Sequence, residues 1–183
     1  MSILVIAEHD NNNLKASTLN TVAAASSLSG EVSVLVAGHD VDNVVAESQT
    51  LDGVSKVIKC DSETYKNFIA EDLSALVMTI AEKFTHILAP ATTFGKNLMP
   101  RVAAKIDSQQ VSDIISVESD DTFKRPIYAG SCIATVKSND NIKVITVRST
   151  AFDAVAMTNS GVDVEDLQSV DSMGITSFVS EEL

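Results

Sequence analysis

Residues 90–97, Pro-Ala-Thr-Thr-Phe-Gly-Lys-Asn, have the composition of a phosphate-binding loop. They follow a predicted strand and open a predicted helix, with Gly95 directly before Lys96. A P-loop requires glycine at its first position and serine or threonine after the lysine, whereas Pro90 and Asn97 stand there. A helix N-terminus at the carboxyl edge of a sheet can still hold an anion or another ligand. We favour the simpler interpretation, a capping turn that packs Phe94.

The histidines and carboxylates form no recognisable catalytic set. None of His9, His39 and His86 has a partner two to four residues away that would suggest a metal site. His9 lies between Glu8 and Asp10, which could be a weak ligand cluster, but a solvated loop is the favoured interpretation. His86 is interpreted as a satisfied core or rim residue. Because G-x-S-x-G and the dinucleotide fingerprint G-x-G-x-x-G are both missing, redox or hydrolytic chemistry by this chain unaided is not expected.

Three arginines, Arg101, Arg125 and Arg148, stand out in an acidic protein. We favour local pairing of each with the many carboxylates. The alternative is anchoring at a subunit interface, where arginine is enriched.

The charge and composition narrow the class of protein. The net charge is −12 over 183 residues, and no basic run is present, which argues against nucleic acid. No apolar stretch approaches the ~20 residues that span a bilayer, and no signal or transit peptide is recognisable, so we expect no membrane insertion and a cytoplasmic protein. Cys60 and Cys132 form no disulfide framework, and both thiols are expected to be buried.

Apolar runs alternate with helical patterns in the first part of the chain, which predicts a parallel sheet flanked by helices. The predicted strands are residues 3–7, 32–37, 55–59 and 86–89, and the predicted helices are residues 18–28 (Ser17 as N-cap), 41–49, 71–83 and about 94 or 97 to 105. Pro100 either lies in the first turn of the last helix or kinks it.

An antiparallel extension is predicted after residue 105. Residues 111–116 and 122–128 would form a hairpin around Asp120 and Asp121, and residues 131–137 and 142–147 a second one around residues 138–141. Pro126 favours an edge position. Residues 159–183 carry six acids and no lysine or arginine, and are interpreted as a linker or weakly packed arm.

Several segments, in matching order and spacing, resemble one known family. They include residues 4–9 (Leu-Val-Ile-Ala-Glu-His), 86–105 (which contain residues 90–97), 125–130 (Arg-Pro-Ile-Tyr-Ala-Gly) and 147–153 (Val-Arg-Ser-Thr-Ala-Phe-Asp). Between residues 2 and about 156 the chain is similar to the N-terminal domain of the electron transfer flavoprotein alpha subunit. The resemblance implies an α/β fold of the adenine nucleotide alpha hydrolase-like type, with an antiparallel C-terminal extension. Residues 1–158 would be the N-terminal α/β domain, and residues 159–183 the acidic linker or arm leading to an absent FAD domain.

The resemblance also implies a function. The full alpha subunit pairs with a beta subunit, holds FAD, takes electrons from acyl-CoA dehydrogenases of fatty acid beta-oxidation and passes them to a quinone oxidoreductase. The family's Ser-Gly-Gly-Arg-Gly-like flavin signature does not occur here. The chain is therefore expected to be a non-catalytic scaffold and assembly domain that holds no cofactor alone.

Two other interpretations of the function stay open, and the isolated domain could also form a homodimer. One is a stand-alone nucleotide-binding module of similar topology, and the other a hydrolase or ligase of the same fold class, for which no catalytic constellation is visible. The partner interface is expected at these residues: Phe94, Lys96, Asn97, Arg101, Arg125, Tyr128 and Arg148.

Overall fold

A seven-stranded parallel sheet and a separate three-stranded antiparallel sheet organise the fold in the computed structural model, which describes residues 1–180. Residues 181–183, which include two of the six acids of the predicted arm, lie outside the described part. The strands are β1 (Ser2–Ile6), β2 (Glu31–Gly38), β3 (Val54–Asp61), β4 (His86–Pro90), β5 (Gln110–Ile114), β6 (Ser116–Ser119), β7 (Thr122–Ile127), β8 (Cys132–Lys137), β9 (Lys143–Val147) and β10 (Asp163–Asp166). The helices are α1 (Ala16–Ser26), α2 (Asp42–Gln49), α3 (Ala70–Met78) and α4 (Thr93–Lys105).

The main sheet has the order β10-β3-β2-β1-β4-β9-β5, and helices cover both of its faces. Along β1, Ile3 and Val5 pack in an apolar cluster with α1 and α2, whereas Leu4 and Ile6 pack in a second cluster with α3 and α4. A strand covered on both sides must be apolar at every position, which explains the continuous run in β1. The predicted α/β fold with a mainly parallel sheet is confirmed.

The ends of α1 and α3 differ from their predictions, and one of the two alternatives for Pro100 is excluded. α1 begins at Ala16, so Ser17 is not its N-cap; the Ser17 hydroxyl instead donates to the Glu8 carboxylate at 2.8 Å. α3 ends at Met78 and is followed by a 3₁₀ turn at Ala81–Lys83. Pro100 lies in the interior of α4 rather than in its first turn.

The predicted second hairpin is wrong. β9 does not pair with β8 but lies between β4 and β5, parallel to both. β9 is buried from Val144 to Val147 and is apolar there except for Thr146, so it is stable only where both of its faces are covered. β8 pairs antiparallel with β7 instead. The antiparallel sheet is therefore inserted between β5 and β9 and is not a C-terminal extension.

The first predicted hairpin is partly right. β6 and β7 pair antiparallel on either side of Asp120 and Asp121. Residues 111–116, predicted as one strand, are divided between β5 in the main sheet and β6 in the small sheet. β7 is the central strand of the small sheet, against the edge position predicted from Pro126, although Pro126 lies beyond the residues that pair with β6.

The segment after residue 159 contains an unpredicted strand. β10 pairs parallel with β3 at the edge of the main sheet, and Leu167 and Val170 pack against the second apolar cluster. The buried carboxylate of Asp72 then accepts hydrogen bonds from the Ser172 hydroxyl and, at 2.7 Å, from the Met173 N–H. These contacts, together with a hydrogen bond from the Thr176 hydroxyl to the Glu71 carboxylate at 3.3 Å, attach the segment to the body as far as Thr176. Within residues 1–180, no helix combines the length and the hydropathy needed to cross a membrane.

Candidate functional site

The carboxyl edge of the main sheet is where α/β folds usually bind ligands, at the point where the strand order reverses. Here that point lies between β1 and β4, and Glu8 is the second residue after the end of β1. One Glu8 carboxylate oxygen accepts hydrogen bonds from the hydroxyls of Ser17 at 2.8 Å and Thr92 at 2.9 Å. The Glu8 backbone N–H donates to the Thr18 hydroxyl at 2.9 Å. The polar groups at the reversal point thus already hydrogen-bond to one another. The negative charge of the Glu8 carboxylate also repels a phosphate.

Residues 90–97 form a turn that packs Phe94 as predicted, but the predicted capping is not seen, because the N-cap residue Thr92 makes no side-chain capping hydrogen bond to α4. A Cβ atom at Gly95 would lie 1.9 Å from the Pro90 carbonyl oxygen, so only glycine lets α4 approach β4 this closely. The Phe94 ring packs against the second apolar cluster and meets Phe68 edge-on, with 6.5 Å between the ring centroids. Lys96 is exposed.

His9 is buried, so the prediction of a solvated loop is wrong for this residue. The imidazole Nε2–H donates to the Ala37 carbonyl at 3.1 Å, and Nδ1 accepts from the Asn11 N–H at 3.1 Å. Burial lowers the pKa of His9 from 6.5 to about 4, which leaves the ring neutral at pH 7. The ring also meets Phe68 edge-on at 5.0 Å between the centroids. No local pattern predicted this burial, because the partners come from β2 and from residues near position 68.

A groove of about 640 Å³ lies beside His9 at the same edge. Lys15 and Lys66 are the cations that line it. Lys15 Nζ lies 3.6 Å from an Asp10 oxygen and Lys66 Nζ 3.8 Å from a Glu63 oxygen, so each lysine already faces a carboxylate. Backbone N–H groups of residues 12 and 13 hold the pKa of Asp10 at about 2, so its charge persists at neutral pH. The groove offers little uncompensated positive charge to an anion.

One further cluster of ligand-type atoms was missed by sequence reasoning. His39, Asp40 and Asp61 each place one such atom within 4.8 Å of the others, because the ends of β2 and β3 are neighbours in the sheet. Lys59 Nζ lies 3.7 Å from an Asp61 oxygen and competes with any cation there. We assign this cluster no role.

The predictions for His86 and Cys60 are confirmed, and the prediction for Cys132 is wrong. His86 is buried, and its two ring nitrogens contact the Thr85 hydroxyl at 2.9 Å and the Asp120 carbonyl at 2.7 Å, which confirms a satisfied core residue. Burial is also the main reason that the pKa of His86 is lowered. Cys60 is buried as predicted, whereas Cys132 is exposed on β8 because its strand belongs to the outer sheet.

The three arginines fall into two groups. Arg101 pairs with Glu71 at 2.6 Å, and Arg148 pairs with Asp113, so local pairing is confirmed for both. Arg125 differs, because its Nε is buried without a hydrogen-bond partner, and no carboxylate of residues 1–180 lies within 4.0 Å of its guanidinium.

The residues predicted for a partner interface do not form one cluster. Phe94, Lys96, Asn97 and Arg101 lie on α4, in the layer of the second apolar cluster. The small sheet, which carries Arg125 and Tyr128, packs through Phe123 on the first cluster, across the main sheet, while Arg148 follows β9. Ile133, which is 62% exposed, was not singled out from the sequence.

The chain is similar to known proteins along its whole length. The family model described as electron transfer flavoprotein domain matches residues 3–172. An electron transfer flavoprotein subunit alpha of Pseudomonas aeruginosa is 50% identical over all 183 residues and 59% of its own length. That of Bradyrhizobium diazoefficiens is 46% identical over the whole chain and 58% of its own length. A mitochondrial alpha subunit of Dictyostelium discoideum is 48% identical over 82% of this chain and 44% of its own length. The chain thus spans about half the length of the curated relatives it matches.

Proposed function

Because the chain belongs to the electron transfer flavoprotein family, we propose that it acts as the scaffold and assembly domain of an alpha subunit. The observation that carries this proposal is the 50% identity to an alpha subunit along all 183 residues. In the proposal, residues 1–158 form the assembly unit and residues 159–183 an arm. The hydrogen bonds that residues 172–176 make to Asp72 and Glu71 are compatible with such an arm lying on the body.

The partner in this proposal is an electron transfer flavoprotein beta subunit, with which the alpha subunit forms a heterodimer. The assembled protein carries electrons from acyl-CoA dehydrogenases to a quinone oxidoreductase and is a carrier, not a catalyst. This chain contributes a rigid platform, which suits a role in which the cofactor supplies the electron chemistry and the protein supplies position and electrostatics.

The described residues do not fit an FAD molecule at the carboxyl edge of the sheet. The Glu8 carboxylate stands at the strand reversal, and both lysines of the adjacent groove face carboxylates, so a pyrophosphate would meet negative charge. In the proposal, FAD is therefore held mainly by polypeptide other than this chain, and no chemical step is assigned to the residues here.

Co-purification tests the proposal. The tagged 183-residue chain is co-expressed with an electron transfer flavoprotein beta subunit from the same organism and isolated by the tag. We expect an equimolar complex, and FAD titrated against the chain alone should leave the flavin spectrum unchanged. Failure of the beta subunit to co-purify, together with stabilisation of the chain by AMP or ATP in a thermal-shift assay, would favour the nucleotide-binding alternative.

A further inference from the structure

The groove beside His9 is lined in part by the last described residues of the chain. Phe178 and Ser180 lie on its wall, together with two loops of the carboxyl edge. Phe178 is 49% exposed, so its ring is only partly covered, whereas the neighbouring Val179 is 88% exposed. A half-exposed apolar ring at the wall of a groove gains free energy by moving further out of water. The tail is therefore placed to cover the groove.

The tail also matches the groove in charge. Residues 172–180 carry no charged side chain, although acids precede and follow them. Each lysine that lines the groove already faces a carboxylate, that of Asp10 or Glu63. An uncharged segment enters such a groove without burying an unpaired charge, whereas an anion would meet carboxylates as well as lysines. The chain's own tail is thus a suitable occupant.

The tail is held to the body just before it reaches the groove. Asp72 is 3% exposed, and its carboxylate accepts hydrogen bonds from the Ser172 hydroxyl at 3.1 Å and the Met173 N–H at 2.7 Å. The hydroxyl of the buried Tyr65 accepts a hydrogen bond from the Val170 N–H at 3.0 Å. Detaching this stretch would remove these partners from two buried polar groups, so the stretch is a fixed base.

Beyond this base the tail can turn. Gly174 has a φ of 64°, a left-handed conformation that favours glycine, and a Cβ atom there would have nothing within 4 Å. Backbone without packed neighbours can absorb the dihedral changes of a hinge. The next attachment is an exposed hydrogen bond of 3.3 Å from the Thr176 hydroxyl to the Glu71 carboxylate. Because water competes for both groups, this bond is weak and acts as a latch.

We propose that residues 174–180 form a hinged lid, which closes the groove with the ring of Phe178. The hinge is Gly174, and the latch is the hydrogen bond between Thr176 and Glu71. Closure removes more of the ring from water and occupies the carboxyl edge with the chain's own tail. The inference goes beyond the proposed function and does not depend on a partner subunit, since every contact lies within this chain.

A tryptophan on the lid reports its position, because the chain contains no other tryptophan. In Phe178→Trp the indole replaces the ring at the groove, and in Val179→Trp it replaces an exposed side chain. The acrylamide quenching constant should be at least about twofold smaller for Phe178→Trp than for Val179→Trp, since only the first indole is covered. Circular dichroism checks that both variants fold.

Two further changes test whether the tail moves as a lid. In the Phe178→Trp chain, Thr176→Val removes the latch hydroxyl and should raise the quenching constant to within roughly 1.5-fold of the Val179→Trp value. Gly174→Pro should act in the same way, because proline cannot adopt a positive φ and sends the tail on another course. Ser177→Ala, which removes the next hydroxyl along the chain, is the matched control and should leave the constant unchanged.

Two results would overturn the inference. One is equal quenching of the Phe178→Trp and Val179→Trp chains, which would place the tail outside the groove. The other is a Phe178→Trp indole that stays protected with both Thr176→Val and Gly174→Pro, which would make the tail a fixed part of the body. Because the 183-residue chain is measured alone, a failure of the beta subunit to bind affects neither result.

Discussion

The carboxyl edge of the main sheet and the small antiparallel sheet differ in whether their polar groups find hydrogen-bond partners within the chain. At the carboxyl edge, the Glu8 carboxylate, the His9 ring and the Thr92 hydroxyl all have hydrogen-bond partners within the chain. On the small sheet, Arg125 has a buried nitrogen without a partner and Tyr128 lies in solvent. The usual ligand site of this fold class is therefore satisfied internally, whereas the small sheet keeps one buried nitrogen without a partner and a large side chain exposed to solvent.

This contrast shows why topology alone gives a poor account of function. The strand order creates a crevice where other proteins of the class bind ligands, but the residues that fill it decide whether ligand binding is available. Here the residues favour a closed edge and an open outer sheet. Substitutions of Gly95, His9 and Glu8, together with a pH series, test whether the carboxyl edge is packed and hydrogen-bonded internally. An experiment with the beta subunit tests whether the small sheet is available to a partner.

The largest loss of stability is expected at Gly95, where α4 makes the tightest contact of the carboxyl edge. Gly95→Ala would place Cβ 1.9 Å from the Pro90 carbonyl oxygen, a backbone atom that cannot move without shifting β4. We expect a loss of about 3 kcal/mol or more in the free energy of unfolding, measured by urea titration. Gly161→Ala is the control, because it has positive φ but nothing within 4 Å of the new Cβ, and it should cost about 1 kcal/mol. Equal losses in the two variants would mean that α4 is not held tightly against β4.

The buried His9 predicts a pH dependence. In the unfolded chain its pKa is 6.5, and in the folded chain burial lowers it to about 4. Between these values the unfolded state binds the extra proton, so stability is fully present above pH 6.5 and falls as the pH is lowered towards 4, by up to about 3 kcal/mol. His86 shifts in the same direction.

Urea unfolding at several pH values between 7 and 4.5 measures this slope. His9→Gln should flatten it, and Asn12→Ala, an exposed change in the same loop, should leave it as in the wild type. A His9→Gln chain with the full wild-type slope would place His9 in contact with solvent and reopen the edge.

The Glu8 network predicts a smaller effect. Glu8→Ala leaves the hydroxyls of Ser17 and Thr92 without their shared acceptor and should cost about 1–2 kcal/mol in the free energy of unfolding. Glu8→Gln keeps an acceptor oxygen and should lose less. Glu63→Ala, an exposed carboxylate beyond β3, is the control and should cost about 0.5 kcal/mol or less. Stabilisation by Glu8→Ala would indicate instead that the carboxylate is held under strain, as at a binding site.

The parallel part of the fold was predictable because local pattern decides it. Continuous apolar runs such as β1 must be covered on both faces, and helical patterns between them fix the parallel connection. The position of β9 was not predictable, since the loop before it fits a hairpin turn equally well and only the burial of both β9 faces selects the centre of the main sheet. β10 has no apolar run and is held by its edge pairing with β3.

The candidate site was less predictable than the fold. Because residues 90–97 lack the glycine and the serine or threonine of a P-loop, a packing role for them could be predicted. The burial of His9 could not, since it depends on contacts distant in sequence. The interface prediction of Phe94, Lys96, Asn97, Arg101, Arg125, Tyr128 and Arg148 remains a prediction. Its members lie on different layers. Pairing of Arg101 and Arg148 with acids was predicted, but the particular acids, Glu71 and Asp113, could be identified only in three dimensions.

Hydrogen exchange of the chain, alone and with the beta subunit, measures the contrast between the two regions most directly. The small sheet is expected to gain protection on binding, in peptides that cover residues 122–137, while residues 7–18 at the carboxyl edge exchange equally slowly in both states. Protection confined to residues 7–18, with residues 122–137 unchanged, would contradict the account.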